Sequence, residues 1–172
     1  MHKTKILQDV LIEEIKDLYN AETQLVRALP HFIRAASDSS LKAMLSDHLP
    51  QTRQHAERLR EVADHLGVLP TGKACQAMQG LIAEGEHRIK SIPVGAARDA
   101  SLVCLARKIE HYEIAGYGAV RSMAQTLCLH RVAVLLQTTL DEESDEDLEL
   151  SGLADLVNSR ADSPHGPLCV VS

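Results

Sequence analysis

Apolar residues recur at helical spacing along almost the whole chain, and this period more than any motif limits what it can fold into. Leu7, Leu11, Ile15, Leu18, Leu25 and Leu29 share one stripe, which predicts a helix from about Thr4 to Ala36. The polar run Ser37-Asp38-Ser39-Ser40 ends it and offers N-cap residues to the next segment. A second helix is expected from about Leu41 to Leu66, with Leu41, Leu45, Leu59 and Val62 inward and Gly67 as its stop. Pro30 and Pro50 fall inside these helices and predict bends, the second just before Gln51. After the loop Leu69-Pro70-Thr71-Gly72 a shorter helix is expected from about Lys73 to Ile92, closed by Pro93 and Gly95. Two further long helices follow. One runs from about Ala97 to Leu127, with Asp99 near its start and Leu102, Leu105, Ile109, Gly116, Val120 and Met123 in line. The other runs from about His130 to Leu150 and as far as Val157.

Two long hairpins separated by a short helix describe an all-α four-helix bundle, two helical hairpins joined by a helix-containing crossover. Aromatic residues make up only 2% of the chain: Tyr19, Phe32, Tyr112 and Tyr117. The core must then be filled by Leu, Ile, Val, Ala and Met, which suits packed helices better than strands. A chain of 172 residues is enough for one domain with one sizeable core. The bundle is expected over residues 1–158, and residues 159–172, with two prolines, form a short flexible tail. The hairpins also echo one another: Glu22 to Gln51 and Glu113 to Glu142 both span 29 residues.

Charge and cysteine usage narrow the function classes. The net charge is −6 and no stripe of Lys and Arg is present, so nucleic acid is not an expected partner. No apolar stretch approaches the roughly 20 residues of a membrane span. Met1 to Val10 is polar and alternates charge, unlike a signal peptide, so the expected compartment is the cytoplasm. None of Cys75, Cys104, Cys128 and Cys169 forms a C-x-x-C pair. The first three are expected to be buried packing residues in a reducing compartment. Cys169-Val170-Val171-Ser172 matches the loose C-a-a-X prenylation pattern, and an accidental match is the expectation. No Ser-His-Asp pattern, phosphate loop or nucleotide fingerprint is present, which argues against hydrolase and transferase chemistry.

The stripes are interrupted by charge. Glu22 lies between Leu18 and Leu25; Glu113 lies between Ile109 and Gly116, with Glu110 one turn earlier on nearly the same face. The second helix reads Leu45, His48, Thr52, His55, Leu59, with Gln51 adjacent; the fourth long helix reads Val132, Leu135, Thr139, Glu142, Glu146, Leu150. Of the acidic run Asp141 to Asp147, only Glu142 and Glu146 are expected to face inward, the rest being a solvated face. Counting about 1.5 Å per residue from each hairpin turn brings these groups to one level. A lone buried carboxylate costs several kcal/mol, so a set of them at one depth points to a cation as partner. Carboxylates with imidazole in a bundle core suit iron or manganese. The candidate ligands are Glu22, His48, Gln51, His55, Glu110, Glu113 and Glu142, holding one or two ions.

Several segments resemble the YciF-like family of ferritin-like proteins: Leu18-Tyr19-Asn20-Ala21-Glu22-Thr23-Gln24-Leu25, His48-Leu49, Cys75 to Glu84, and above all Ile109-Glu110-His111-Tyr112-Glu113-Ile114-Ala115-Gly116-Tyr117-Gly118. The resemblance covers about residues 5 to 157. It implies a ferritin-like bundle, a homodimer and a link to stress responses, with Glu22, Glu110, Glu113 and Glu142 at the family's acidic positions. Where that family commonly reads His-Leu-Glu-Glu-Thr, this chain reads His48-Leu49-Pro50-Gln51-Thr52, and Thr138 stands where Glu is frequent. His55 is placed to compensate for Gln51. Two functions follow as expectations: a metal-binding ferritin-like protein with oxidase or peroxidase-like activity, or a metal-free helical dimer acting through its surface.

Overall fold

The computed structural model describes residues 6–162. Their regular structure is α-helical: α1 (Leu7–Ala35), α2 (Ser39–His65), α3 (Gln76–Ser91), α4 (Ala96–Thr126) and α5 (His130–Asp162). α1 pairs with α2 and α4 with α5, while α3 crosses between the hairpins and packs on α1 and α4. This is the expected topology. α5 continues past the expected bundle limit at residue 158, so that boundary falls inside a helix. The C-a-a-X segment and most of the expected tail lie outside the described residues. Both α1 and α2 continue through their prolines as single helices. Pro50 is exposed, so its ring faces away from the core.

Local chemistry sets the helix ends. Asp38 caps α2, accepting from Ser40 N at 2.9 Å and Leu41 N at 3.1 Å. The turn before it is held from across the bundle by Asp99 in the first turn of α4. Asp99 is 2% exposed and accepts from Ser37 N at 2.7 Å, Asp38 N at 2.9 Å and the Ser37 hydroxyl. The turn between α4 and α5 bends at Cys128, whose φ of 57° is left-handed. That position is exposed, as is Cys104, which points outward between the inward pairs Leu102–Val103 and Leu105–Ala106. The expectation of three buried cysteines therefore holds for Cys75 alone.

The core is divided. One apolar cluster joins Leu25, Leu29, Phe32, Leu41, Leu45, Leu102, Leu105, Ile109, Leu150 and Leu153, with Met78 from α3. The other joins Leu11, Ile15, Leu18, Leu59, Val62, Tyr117, Val120, Val132 and Leu136. Between them every long helix contributes buried polar residues: Glu22, then His48, Thr52 and His55, then Glu110 and Glu113, then Thr139 and Glu143. α1 and α4 approach closely beside this layer because Leu18 rests over Gly116, where an added Cβ would lie 2.8 Å from Leu18 Cδ2.

Asp99 gives a direct test of how the hairpins are tied. Changing Asp99→Ala strands two backbone N–H groups, and the loss is expected to be about 2–4 kcal/mol, read from the urea unfolding midpoint. Asp99→Asn keeps acceptor capacity and should lose less; equal stability of both variants and the unaltered chain would remove Asp99 from this role.

Candidate metal centre

The polar layer is built by helix register. On α1, Glu22 sits one turn beyond Leu18, and on α4 the pair Glu110 and Glu113 follows Ile109 on the same face. On α2, His48, Thr52 and His55 fall between Leu45 and Leu59. On α5, Leu136, Thr139, Glu143, Glu146 and Leu150 continue one stripe. Counterparts keep a constant offset between hairpins: Glu22 with Glu113, Leu45 with Leu136, Thr52 with Glu143, His55 with Glu146, Leu59 with Leu150.

Single ligand atoms of His48, Glu110, Glu113 and Glu143 all lie within 4.8 Å of one another, and so do those of Glu22, His55 and Glu143. Glu143 belongs to both groups, so two adjacent ligand sets share one carboxylate. Bonds of about 2 Å to a common ion can close such a spread. Glu22 Oε2, both nitrogens of His48, His55 Nδ1, Glu110 Oε2 and both oxygens of Glu113 and Glu143 are buried without a hydrogen-bond partner. Each such atom costs roughly 1–3 kcal/mol in a dry core. Hard oxygens and imidazole nitrogens converging from four helices are a donor set that fits iron or manganese.

The surrounding contacts orient these donors. Tyr117 is fully buried and donates its hydroxyl to Glu22 Oε1 at 2.5 Å, leaving Oε2 free. His55 Nδ1 approaches Glu143 Oε1 to 2.8 Å without hydrogen-bond alignment and lies 3.7 Å from Glu22 Oε1. Its Nε2 lies 2.8 Å from Glu142 Oε2. Glu142 in turn accepts from Arg58 at 2.8 and 3.2 Å. His48 places Nε2 3.6 Å from Glu110 Oε1 and Nδ1 3.8 Å from Glu146 Oε1.

Burial sets the charge of the layer. It pushes Glu22 up to about 8, against the attraction of His55 and with repulsion from Glu143. Glu110 rises well above the carboxylate range by burial and the nearby Glu143, and Glu113 by burial with Glu22 and Glu143. Burial also opposes charge on Glu143, but His55 outweighs it and holds this carboxyl low. His55 resists its own burial through Glu143, Glu22 and Glu142 and rises to about 9. Burial holds His48 below its ordinary value. These directions favour a His55–Glu143 ion pair with the proton kept on Glu22, Glu110 and Glu113 at neutral pH.

Six of the seven expected residues lie at this layer, but not all in the ligand sets. Glu22, His48, His55, Glu110 and Glu113 are brought together as described. Glu142 is 29% exposed at its side chain, pairs with Arg58 and reaches the sets only through His55 Nε2. Gln51 is half-buried and belongs to neither set. Glu143, assigned to the solvated face from the pattern, is instead the shared carboxylate. The error is one residue of helical phase: Leu135-Leu136 and Glu142-Glu143 are doublets, and either member continues an apolar stripe. The hairpin repeat carried the missing signal, because matching Leu45 to Leu136 and Leu59 to Leu150 pairs Glu143 with Thr52.

The family described as "Domain of unknown function (DUF892)" matches residues 6–162. The chain belongs to the DUF892 family. It is 39% identical to protein YciF of Escherichia coli K12 over 161 residues, which is 92% of this chain and 97% of that protein. The crystal structure of the E. coli stress protein YciF superposes with a TM-score of 0.87 at 37% identity, covering 91% of this chain and 99% of that one. YcfI from Rhodopseudomonas palustris gives 0.84 at 35% identity, over 87% of this chain and 96% of its own. A Bacillus anthracis protein described as ferritin-like and diiron-carboxylate gives 0.69 at 19% identity, over 88% and 99%, a likeness of fold. Like these, the DUF892 chain is a ferritin-like helical bundle, and none of its described helices is long and apolar enough to cross a membrane.

The charge of the layer yields a pH dependence for this DUF892 bundle in chelator. Glu22 has a folded value near 8 against 4.5 unperturbed, so the folded state holds an extra proton between those values and loses stability as pH rises. His55, raised to about 9 from 6.5, adds stability that is full below 6.5 and lost through 9. Thermal midpoints measured with chelator should fall from pH 5 to 9; a flat or rising profile would contradict this charge assignment.

Proposed function

We propose that this DUF892 chain is a metal-binding ferritin-like protein of the stress-response type, with iron or manganese held between α1, α2, α4 and α5. The observation carrying this reading is the set of unpartnered donor atoms that four helices turn toward one buried point. Glu143 would bridge the two ligand sets, with Glu110, Glu113 and His48 on one side and Glu22 and His55 on the other. Bound iron would supply one-electron redox chemistry toward dioxygen or a peroxide, the basis for an oxidase or peroxidase-like activity.

The chain's own residues have distinct tasks in that reading. Tyr117 fixes Glu22 by one oxygen and turns the other inward. His55 presents Nδ1 to the centre while its Nε2–H donates to Glu142, a carboxylate that sets the ring's tautomer and orientation. Arg58 neutralises Glu142 and keeps it from entering the ligand set. The flanking apolar clusters exclude water from both faces of the layer. Glu22, Glu110 and Glu113 carry protons at neutral pH and His55 carries one on Nδ1, and these must be released when a cation binds.

Two measurements test the proposal. Protein reconstituted anaerobically with ferrous or manganous ion and freed of excess should retain about one to two ions per chain, releasing about three to four protons at pH 7 in a weakly buffered titration when both ligand sets fill. Glu143→Gln should lose most of that metal, while Glu142→Gln should keep it with roughly 10–100-fold weaker affinity. Retention of less than about 0.2 ion per chain would sink the proposal, given the affinity such a donor set supports. It would favour the metal-free interaction reading instead.

A further inference from the structure

The seam between α2 and α5 gives the polar layer two margins, one closed by an ion pair and the other acidic. At one, Arg58 spans the seam, donating to Thr139 Oγ1 at 2.5 Å and to both oxygens of Glu142. A guanidinium closes that margin. At the other, Glu146 stands on α5 with its side chain 11% exposed, between the buried layer and the surface. Glu149 on the same helix and Asp47 on α2 are both exposed. Burial, then the charges of Glu149, Glu143 and Asp47, raise the Glu146 carboxyl to about 7.

Acidic residues at a helix seam are common and prove nothing alone. His48 makes this group different. Its ring is buried, neither nitrogen has a hydrogen-bond partner, and Nδ1 faces Glu146 Oε1 at 3.8 Å while Nε2 faces Glu110 Oε1 at 3.6 Å. It therefore stands between the outer carboxylate and the inner one. A cavity of about 20 Å³ borders Glu146, His48 and Glu110 and is otherwise walled by apolar residues such as Phe32, Leu45 and Leu150. That is room for about one water-sized particle. The hairpin repeat adds a further observation: Glu146 occupies in α5 the register that His55 occupies in α2, yet His55 is sealed inside and Glu146 leans to solvent.

We propose that divalent cations reach the buried layer through the α2–α5 seam at Asp47, Glu146 and Glu149, with Glu146 drawing the ion inward and His48 passing it to Glu110 and Glu143. The inference rests on the metal-binding reading above. A hydrated ion must shed its waters one at a time, and a ladder of carboxylate, imidazole and carboxylate replaces each as it leaves. The exposed pair Asp47 and Glu149 focuses cations at the opening, an effect that raises association rates by roughly 10–1,000-fold and fades with salt. The Arg58–Glu142 ion pair closes the opposite margin and offers a cation no free carboxylate there.

Stopped-flow uptake of cobaltous ion, followed by its visible absorption, separates the route from the destination. In 10–20 mM buffer the double variant D47N/E149Q should bind as many ions as the unaltered chain but about 5–10-fold more slowly, the gap narrowing at about 0.3 M salt. Glu146→Gln should slow uptake further. D141N/D155N removes two exposed charges from α5 away from the opening and should keep the unaltered rate. Circular dichroism melts of each variant establish that the bundle is intact. Uptake by D47N/E149Q at the unaltered rate, or equal slowing by D141N/D155N, overturns the route while leaving the centre standing. Failure of the unaltered chain to bind cobalt overturns the centre and the route with it.

Discussion

Burial of carboxylates inside a helical core is the constraint on which the rest of this structure depends. Removing a charge from water costs several kcal/mol unless a partner restores it. Glu22, Glu110, Glu113 and Glu143 all lie in the interior, and the protein supplies one cation among them, the imidazolium of His55. Protonation of the other carboxyls answers the excess negative charge in the layer, but it leaves lone pairs and ring nitrogens without partners. A layer of leucines at this depth would be more stable. Its polar character is therefore a feature the fold tolerates rather than one that holds it together.

What holds it together lies on either side. Each hairpin carries apolar residues above and below the layer, so the bundle closes on two separate cores and needs no cohesion from the polar level. Leu18 over Gly116 brings α1 against α4 at this depth, and Asp99 ties the second hairpin to the turn of the first. The carboxylates are thus fixed by packing that does not involve them, which is what pre-organised ligands require. Tyr117 and Arg58 extend that fixing to single oxygen atoms, one by holding Glu22 from inside and the other by holding Glu142 from outside.

Much of this was legible in the sequence because helical period and hairpin length are nearly independent of side-chain detail. Counting residues from each turn was enough to set Glu22 level with Gln51 to His55, and Glu110 and Glu113 level with Glu142 to Glu146. Angular phase was harder. A helix advances about 100° per residue, so where Leu135-Leu136 and Glu142-Glu143 occur as doublets the pattern admits two solutions. The choice is made by packing against α4, which no single helix reveals. Cys104 was misplaced for a related reason: it sits among inward residues in sequence but on the outer side of the turn they form. Arg58 gave no signal at all, since its partner was itself expected to face inward.

The repeat also explains why the two halves of the layer differ. Strict twofold symmetry would give each hairpin the same donors, but here Thr52 stands opposite Glu143 and Glu146 opposite His55. The first hairpin has a hydroxyl where the second has a carboxylate. The second has a carboxylate where the first has an imidazole. His48 and Glu110 have no ligand counterparts, facing Thr139 and Tyr19 in the repeat. The consequence is a layer richer in carboxylates toward α4 and α5, with its sealed imidazolium beside Glu22 and its acidic margin open beside His48. An asymmetric donor set of this kind gives two adjacent ion positions unequal charge and unequal access to solvent. Under the proposed reading the ion near His48, Glu110 and Glu113 is the one that exchanges with solvent, and the one between Glu22 and His55 is the one that stays.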